Sequence, residues 1–138
     1  MDYRQAFAIS ATGMDIERLR LEVTALNLAN THSVAEAGAK PYQPMRVMAR
    51  SSFGALMADG ALARPHITLE PTGAAQRLVS EPGHPLADAR GMVAYPGIDT
   101  ANEMLTMMSA LRAYEANVAA LNGARTMAQK ALEIGGAS

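Results

Sequence analysis

The sequence predicts an α+β chain: long N- and C-terminal α-helices that pair as an antiparallel coiled coil, with a small irregular β-rich insert between them. Three observations predict it. Apolar residues recur at three-four spacing through the last third of the chain, a second helical pattern fills the first thirty residues, and all seven prolines fall between Pro41 and Pro96. This shift in composition divides the chain into an N-terminal helical arm over 1–33, a Pro/Gly-rich insert over 34–98 and a C-terminal helical arm over 99–138.

The first arm reads as a helix from Phe7 to Asn30. Ile9, Ile16, Leu19, Val23 and Leu26 lead to Asn30 on one stripe, and Met14, Leu21 and Leu28 form a second. Two apolar stripes require at least two covered faces, and one partner helix covers only one of them. Asp15, Glu17, Arg18, Arg20 and Glu22 lie between the stripes as a solvated or salt-bridged side. Gly13 costs about 1 kcal/mol relative to Ala in a helix interior and so marks a close approach or a bend. The helix is expected to fade at Asn30, Thr31, His32 and Ser33.

Within the insert, Arg46 to Ala49, His66 to Leu69, Arg77 to Val79 and Met92 to Tyr95 read as short strands. Turn signals separate them, and Gly54 to Ala63 reads as a mobile loop. Few long apolar side chains are present, so a deep core is not expected there.

The second arm reads as a helix from Met104 to Ile134. Met104, Met107, Leu111, Tyr114, Val118, Leu121, Arg125, Ala128 and Leu132 hold one stripe that faces a partner, either another part of the chain or another copy. The other positions are rich in strong helix formers such as Ala110, Ala113, Glu115, Ala116 and Lys130. About thirty residues at about 1.5 Å each make a helix roughly 45 Å long. If the insert folds the chain back, the arms pair antiparallel and the second stripe of the first helix is left for other subunits.

Composition narrows the function classes. Ten methionines and only 4% aromatic residues place the apolar contacts on flexible side chains, which suits helix-helix seams. A formal charge of −1, from 12 basic and 13 acidic residues without a block of either sign, leaves no nucleic-acid footprint. The absence of cysteine removes disulfides, thiolate metal sites and cysteine nucleophiles together. Met1 to Gln5 show no basic stretch leading into an apolar run, so no Sec-type signal peptide is expected. No apolar run approaches the ~20 residues of a membrane helix.

Candidate chemistry is sparse. Glu81, His84 and Asp88 around Pro82-Gly83-His84-Pro85 are the cluster closest to a metal or general-base set. The stronger reading is a rigid turn, because His32 and His66 lie far along the chain. Ser10, Ser51, Ser52, Ser80 and Ser109 sit in no nucleophile elbow, and no Gly-rich phosphate loop is present. The chain is therefore not expected to be an enzyme or to hold a metal or cofactor. Asn27 and Asn30 stand either as recognition residues on the last turn of the first helix or as local caps. Tyr114 and Asn117 pose a similar alternative, a polar seam position that fixes register or an exposed one.

The ordered set of motifs is more specific than any one of them. Ile9 to Met14, Leu26 to Thr31, Lys40-Pro41-Tyr42, Glu81 to Pro85 with Asp88-Ala89 and Gly91, Glu103-Met104 and Arg112 to Asn117 resemble the rod-protein-C family of the bacterial flagellar basal body. That family belongs with the rod, hook and filament axial proteins, whose terminal helices coil together in an inner tube. The resemblance implies a structural protein of the proximal rod, exported unfolded through the flagellar type III apparatus and assembled in the periplasm as part of a helical drive shaft. It implies as partners the other rod proteins, the junction protein at the rod base and further copies of the chain. Subunit contacts are then expected at Ile9, Ile16, Leu19, Val23, Leu26, Asn27 and Asn30 in the first arm. In the second they are expected at Met104, Met107, Leu111, Tyr114, Asn117, Val118, Leu121 and Leu132.

Two other classes share some of these features. A cytosolic helical adaptor or type III secretion chaperone also carries amphipathic arms, but forms a discrete soluble dimer. A cell-wall hydrolase needs an acidic pair in a cleft, for which Glu81 and Asp88 are the neighbouring candidates.

Overall fold

A computed structural model describes residues 3–35, 39–50 and 65–136. Two long helices pack against each other: α1, Tyr3–Ala29, and α2, Thr100–Gly135. Between them lie two antiparallel strand pairs. The first joins β1, Met45–Arg50, to β2, His66–Pro71, and the second joins β3, Arg77–Ser80, to β4, Met92–Tyr95. The expected segment Gly54 to Ala63 lies outside the described residues.

The helix ends follow from local chemistry. At the end of α1 the Asn30 side chain donates to Leu26 O at 2.8 Å, Thr31 Oγ1 to Leu28 O at 2.8 Å, and Ser33 Oγ to Asn30 O at 2.8 Å. Side chains thereby add second bonds to carbonyls that also accept from the Asn30, Thr31 and Ser33 amides where the helix tightens and stops. Helix α2 begins at Asp99, whose carboxylate accepts from the Ala101 and Asn102 amides. Glu103 in the first turn adds a negative charge where the helix dipole is positive.

The strand pairs are registered Met45↔Pro71 through Arg50↔His66 and Arg77↔Tyr95 through Ser80↔Met92. Val47 is buried in β1, the strand that packs on α1, and Val93 is fully buried in β4. Gly91 takes a left-handed φ of 73° and lies so close to Pro82 that an added Cβ would stand 2.9 Å from its Cβ. Gly97, leading into α2, passes against the Ala75 carbonyl so tightly that no side chain fits.

Two contacts fix how α1 and α2 lie. The Asn27 side chain donates to Glu103 Oε2 at 3.1 Å, and the Asn117 side chain fills the space where Gly13 lacks a Cβ. Asn27 is fourteen residues from Gly13 and Glu103 fourteen from Asn117, so both contacts obey one antiparallel register.

Of the stripe predicted on α2, Met107, Tyr114 and Leu121 are turned to α1 as expected, while the other row, and the buried row of α1, are displaced by one residue. In α1 the buried heptad is Ser10, Glu17 and Thr24, continued by Thr31 just past the helix, where Ile9, Ile16, Val23 and Asn30 were expected. In α2 it runs through half-buried Glu103, buried Ala110, half-buried Asn117 and buried Ala124, where Met104, Leu111, Val118 and Arg125 were expected. The physical reason is size. Small side chains let two backbones approach closely, whereas Met104 and Leu111 at the same positions would hold them apart.

A consequence is a thin core. Among the described residues the buried apolar side chains are Val23, Val47, Val93, Ala110 and Ala124, with Pro41, Pro44 and Pro96 in the insert. Large apolar side chains remain outside, including Ile9, Leu26, Met104, Leu105, Met108 and Leu111.

Glycine 13 tests the register. In an ordinary helix Gly→Ala gains about 1 kcal/mol. Here the new Cβ would meet Asn117 Oδ1 at 2.7 Å and displace a side chain that donates to Ala113 O at 2.9 Å. Gly13→Ala is expected to lower the melting temperature and Gly13→Ala/Asn117→Ala to raise it above wild type, with a coupling of roughly 1 kcal/mol or more. A stabilised Gly13→Ala single variant would show that the helices do not meet there.

Candidate assembly interface

A fully partnered polar site lies where α1 ends, β1 starts and α2 begins. Asn27 is 1% exposed. Its Nδ2 donates to Met45 O at 2.9 Å and to Glu103 Oε2 at 3.1 Å. Its Oδ1 accepts from the Tyr42 hydroxyl at 2.9 Å and from the Met45 amide at 3.1 Å. Both donors and both acceptor positions of the amide are thereby used. Burial, and after it the Glu103 carboxylate, push the Tyr42 hydroxyl above its ordinary pKa of 10.0, which keeps it a donor.

This geometry separates the two asparagines that the sequence set together. Asn30 acts within its own helix end, through Leu26 O. The Asn27 side chain reaches away from its own helix end and ties the loop at Tyr42, the start of β1 and the first turn of α2 to one another. Tyr42, two residues before Pro44 in the Lys40-Pro41-Tyr42 motif, was not singled out as part of the site; its only signal was its place in that motif.

The remaining expected contact residues divide by exposure. Val23 is buried; Ile16, Leu19, Met107, Tyr114, Asn117, Val118 and Leu121 are half-buried; Ile9, Leu26, Met104, Leu111 and Leu132 are exposed. Met107, Tyr114 and Leu121 alternate along α2 with Glu103, Ala110, Asn117 and Ala124, which places them on the side turned to α1. Met104, Met108 and Leu111, spaced four and three apart, form a separate exposed apolar strip on α2. Glu17, expected on a solvated or salt-bridged side, is paired with Arg20 at 2.9 Å but buried, and its Oε2 is buried without a hydrogen-bond partner.

The 81–88 segment is a closed turn. The Leu86 amide donates to His84 Nδ1 at 3.1 Å, and Asp88 Oδ1 accepts from the Arg90 and Met92 amides, each at 2.8 Å. These amide bonds hold the Asp88 carboxyl below its ordinary pKa. Glu81 accepts from the Tyr95 hydroxyl at 3.1 and 3.2 Å. The three side chains that raised a metal or acid-base reading are thus engaged in shaping the turn.

Comparison with known proteins agrees on one type. A family profile described as flagellar basal body rod FlgEFG protein C-terminal matches residues 89–134. Flagellar basal-body rod protein FlgC of Escherichia coli O6:H1 is 37% identical over 129 residues, covering 94% of this chain and 95% of the relative. The proteins of the same name from Bacillus subtilis strain 168 and Aquifex aeolicus are 32% and 31% identical, over 92% and 96% of this chain and 94% and 97% of theirs.

Two outcomes are expected of the Asn27 site. Asn27→Ala strands buried partners on three segments and should destabilise the chain by roughly 3 kcal/mol, against about 1 kcal/mol or less for Asn30→Ala; equal losses in denaturant melts would contradict the division of roles. A raised Tyr42 pKa contributes stability that is complete below the unfolded value of 10.0 and is lost as pH rises through the higher folded value. Melting temperature measured across alkaline pH should therefore fall above about 10 in wild type and fall less in Tyr42→Phe.

Proposed function

The chain belongs to the FlgC family of flagellar basal-body rod proteins, and on that premise we propose that it is a structural subunit of the proximal rod. It polymerises helically through α1 and α2 and forms part of the drive shaft for flagellum-dependent motility. Its neighbours in this reading are the other rod proteins, the junction protein at the rod base and further copies of itself. The subunit reaches the periplasmic rod through the flagellar export apparatus, as the resemblance implied.

One observation carries the reading. The helix pair buries mostly small and polar side chains inside the protomer and leaves many of its large apolar ones exposed. Met104, Met108 and Leu111 on α2, with Leu26 on α1, are each about half exposed or more. A surface arranged in this way is suited to burial between subunits, and each large side chain fully covered there contributes about 1.5–3 kcal/mol. Methionine in particular adapts to unlike neighbours, as contact with several kinds of rod protein demands.

Leu111→Asp tests the reading without disturbing the protomer, because Leu111 is already exposed. The variant should keep wild-type helicity and be exported, yet fail to build rods. An unpaired carboxylate in a dry contact costs several kcal/mol, repeated in every subunit. Glu115→Lys, also exposed, is the control and should build rods normally. The measurements are circular dichroism, fractionation of the periplasm and electron microscopy of basal bodies; intact rods carrying Leu111→Asp would defeat the proposal.

A further inference from the structure

The row of α1 that faces α2 holds one charged side chain. Ser10, Thr24 and Thr31 in that row are small, and Glu17 stands among them 9% exposed. One carboxylate oxygen, Oε1, accepts at 2.9 Å from Arg20, whose side chain is 42% exposed. The other, Oε2, is buried and has no hydrogen-bond partner among the described residues. The register of Asn27–Glu103 and Gly13–Asn117 places Ala113 across from Glu17, with Ala110 and Asn117 on either side of it along α2. Neither alanine side chain carries a donor, and the Asn117 amide donates to Ala113 O instead. Tyr114, on the side turned to α1, makes no bond to Oε2 either.

A carboxylate in this state opposes the contact that encloses it. In the closed pair it gives up its hydration and keeps the single partner Arg20, whereas in an open pair both oxygens meet water. An apolar side chain of similar volume commonly holds such a position more firmly than a half-partnered ion does. Glu17 takes no part in either register contact, since it stands four residues from Gly13 and ten from Asn27, about 15 Å along the helix. Its charge therefore weakens the middle of the seam and leaves the junction at Asn27 as it is.

We propose that Glu17 is a release element in the α1–α2 pair: its half-partnered carboxylate holds the closed pair of a single subunit near balance with an open one. The chain is then readily drawn apart for passage through the export apparatus and closes again at the rod. There the exposed Met104, Met108 and Leu111 gain cover from neighbouring subunits, and their burial offsets what the carboxylate costs. This role rests on the rod-subunit reading and adds to it the residue that sets how readily the subunit opens.

Glu17→Met removes the charge and keeps the length of the side chain, while Glu17→Gln keeps its shape; both are purified as full chains beside wild type. Thermal melting followed by circular dichroism should give a higher midpoint for both, with methionine above glutamine. Amide exchange within α1 should slow about tenfold or more in Glu17→Met, the lower end of what an apolar replacement of a buried ion pair gives. In cells whose sole copy carries Glu17→Met, the periplasmic fraction of the chain should fall. Gly13→Ala added to it loosens the same seam at another point and should restore both the midpoint and that fraction. A midpoint unchanged or lowered in Glu17→Met, with Glu17→Gln no higher than wild type, would overturn the role of Glu17. So would a stabilised Glu17→Met chain that reaches the periplasm and builds rods as wild type does, an outcome that leaves the rod-subunit reading standing. A wild-type chain absent from both periplasm and basal bodies would refute the two together.

Discussion

The architecture depends on a single buried amide. Asn27 holds the start of β1 through Met45, the loop before it through Tyr42 and the first turn of α2 through Glu103. A buried amide is neutral to stability only when all its hydrogen-bonding capacity is met, and here it is. Because each partner comes from a different part of the chain, the amide is satisfied in one arrangement only. The insert is thereby seated on the helix pair at one end, and the helix pair is aligned from that end outward.

Around this point the chain distributes side-chain size unusually. Ser10, Gly13, Thr24, Ala110 and Ala124 lie between α1 and α2, while Leu26, Met104, Leu105, Met108 and Leu111 stay exposed. A chain built to be stable alone would do the reverse. With three buried valines as the largest apolar contribution among the described residues, much of the stabilisation available from burial is still unrealised in the protomer. Assembly is what can realise it, and this makes folding energetics and function the same problem for this protein.

Much of this was legible in the sequence and some was not. The four strands and two helices follow from proline placement, alternation and three-four spacing, and their observed bounds differ from the expected ones by a few residues. Gly13 was legible as a close approach because glycine in a helix interior calls for a reason, and Asn117 proved to be that reason. The helix seam was legible in its Met107, Tyr114 and Leu121 row and not in the row beside it. Periodicity finds the line of largest apolar side chains, Ile9 to Leu26 and Met104 to Leu132, and gives no sign of whether that line faces within the chain or outside it. The signal for the inner line was the seven-residue recurrence of Ser10, Glu17, Thr24 and Thr31, which a search for apolar residues passes over. Asn27 was singled out, but its role could not follow from its place near a helix end, since its partners lie 15, 18 and 76 residues away.

A seam that repeats every seven positions invites a shift by one heptad, which would bring each row back into line with the other. What forbids such a shift is that Asn27 has one glutamate to bind and Asn117 one glycine to fill. These two singular contacts, near the two ends of the paired stretch, work as stops against shear. Load along the helix axis would then be carried by the geometry of two amides, while the small residues between them set only the distance across which they act.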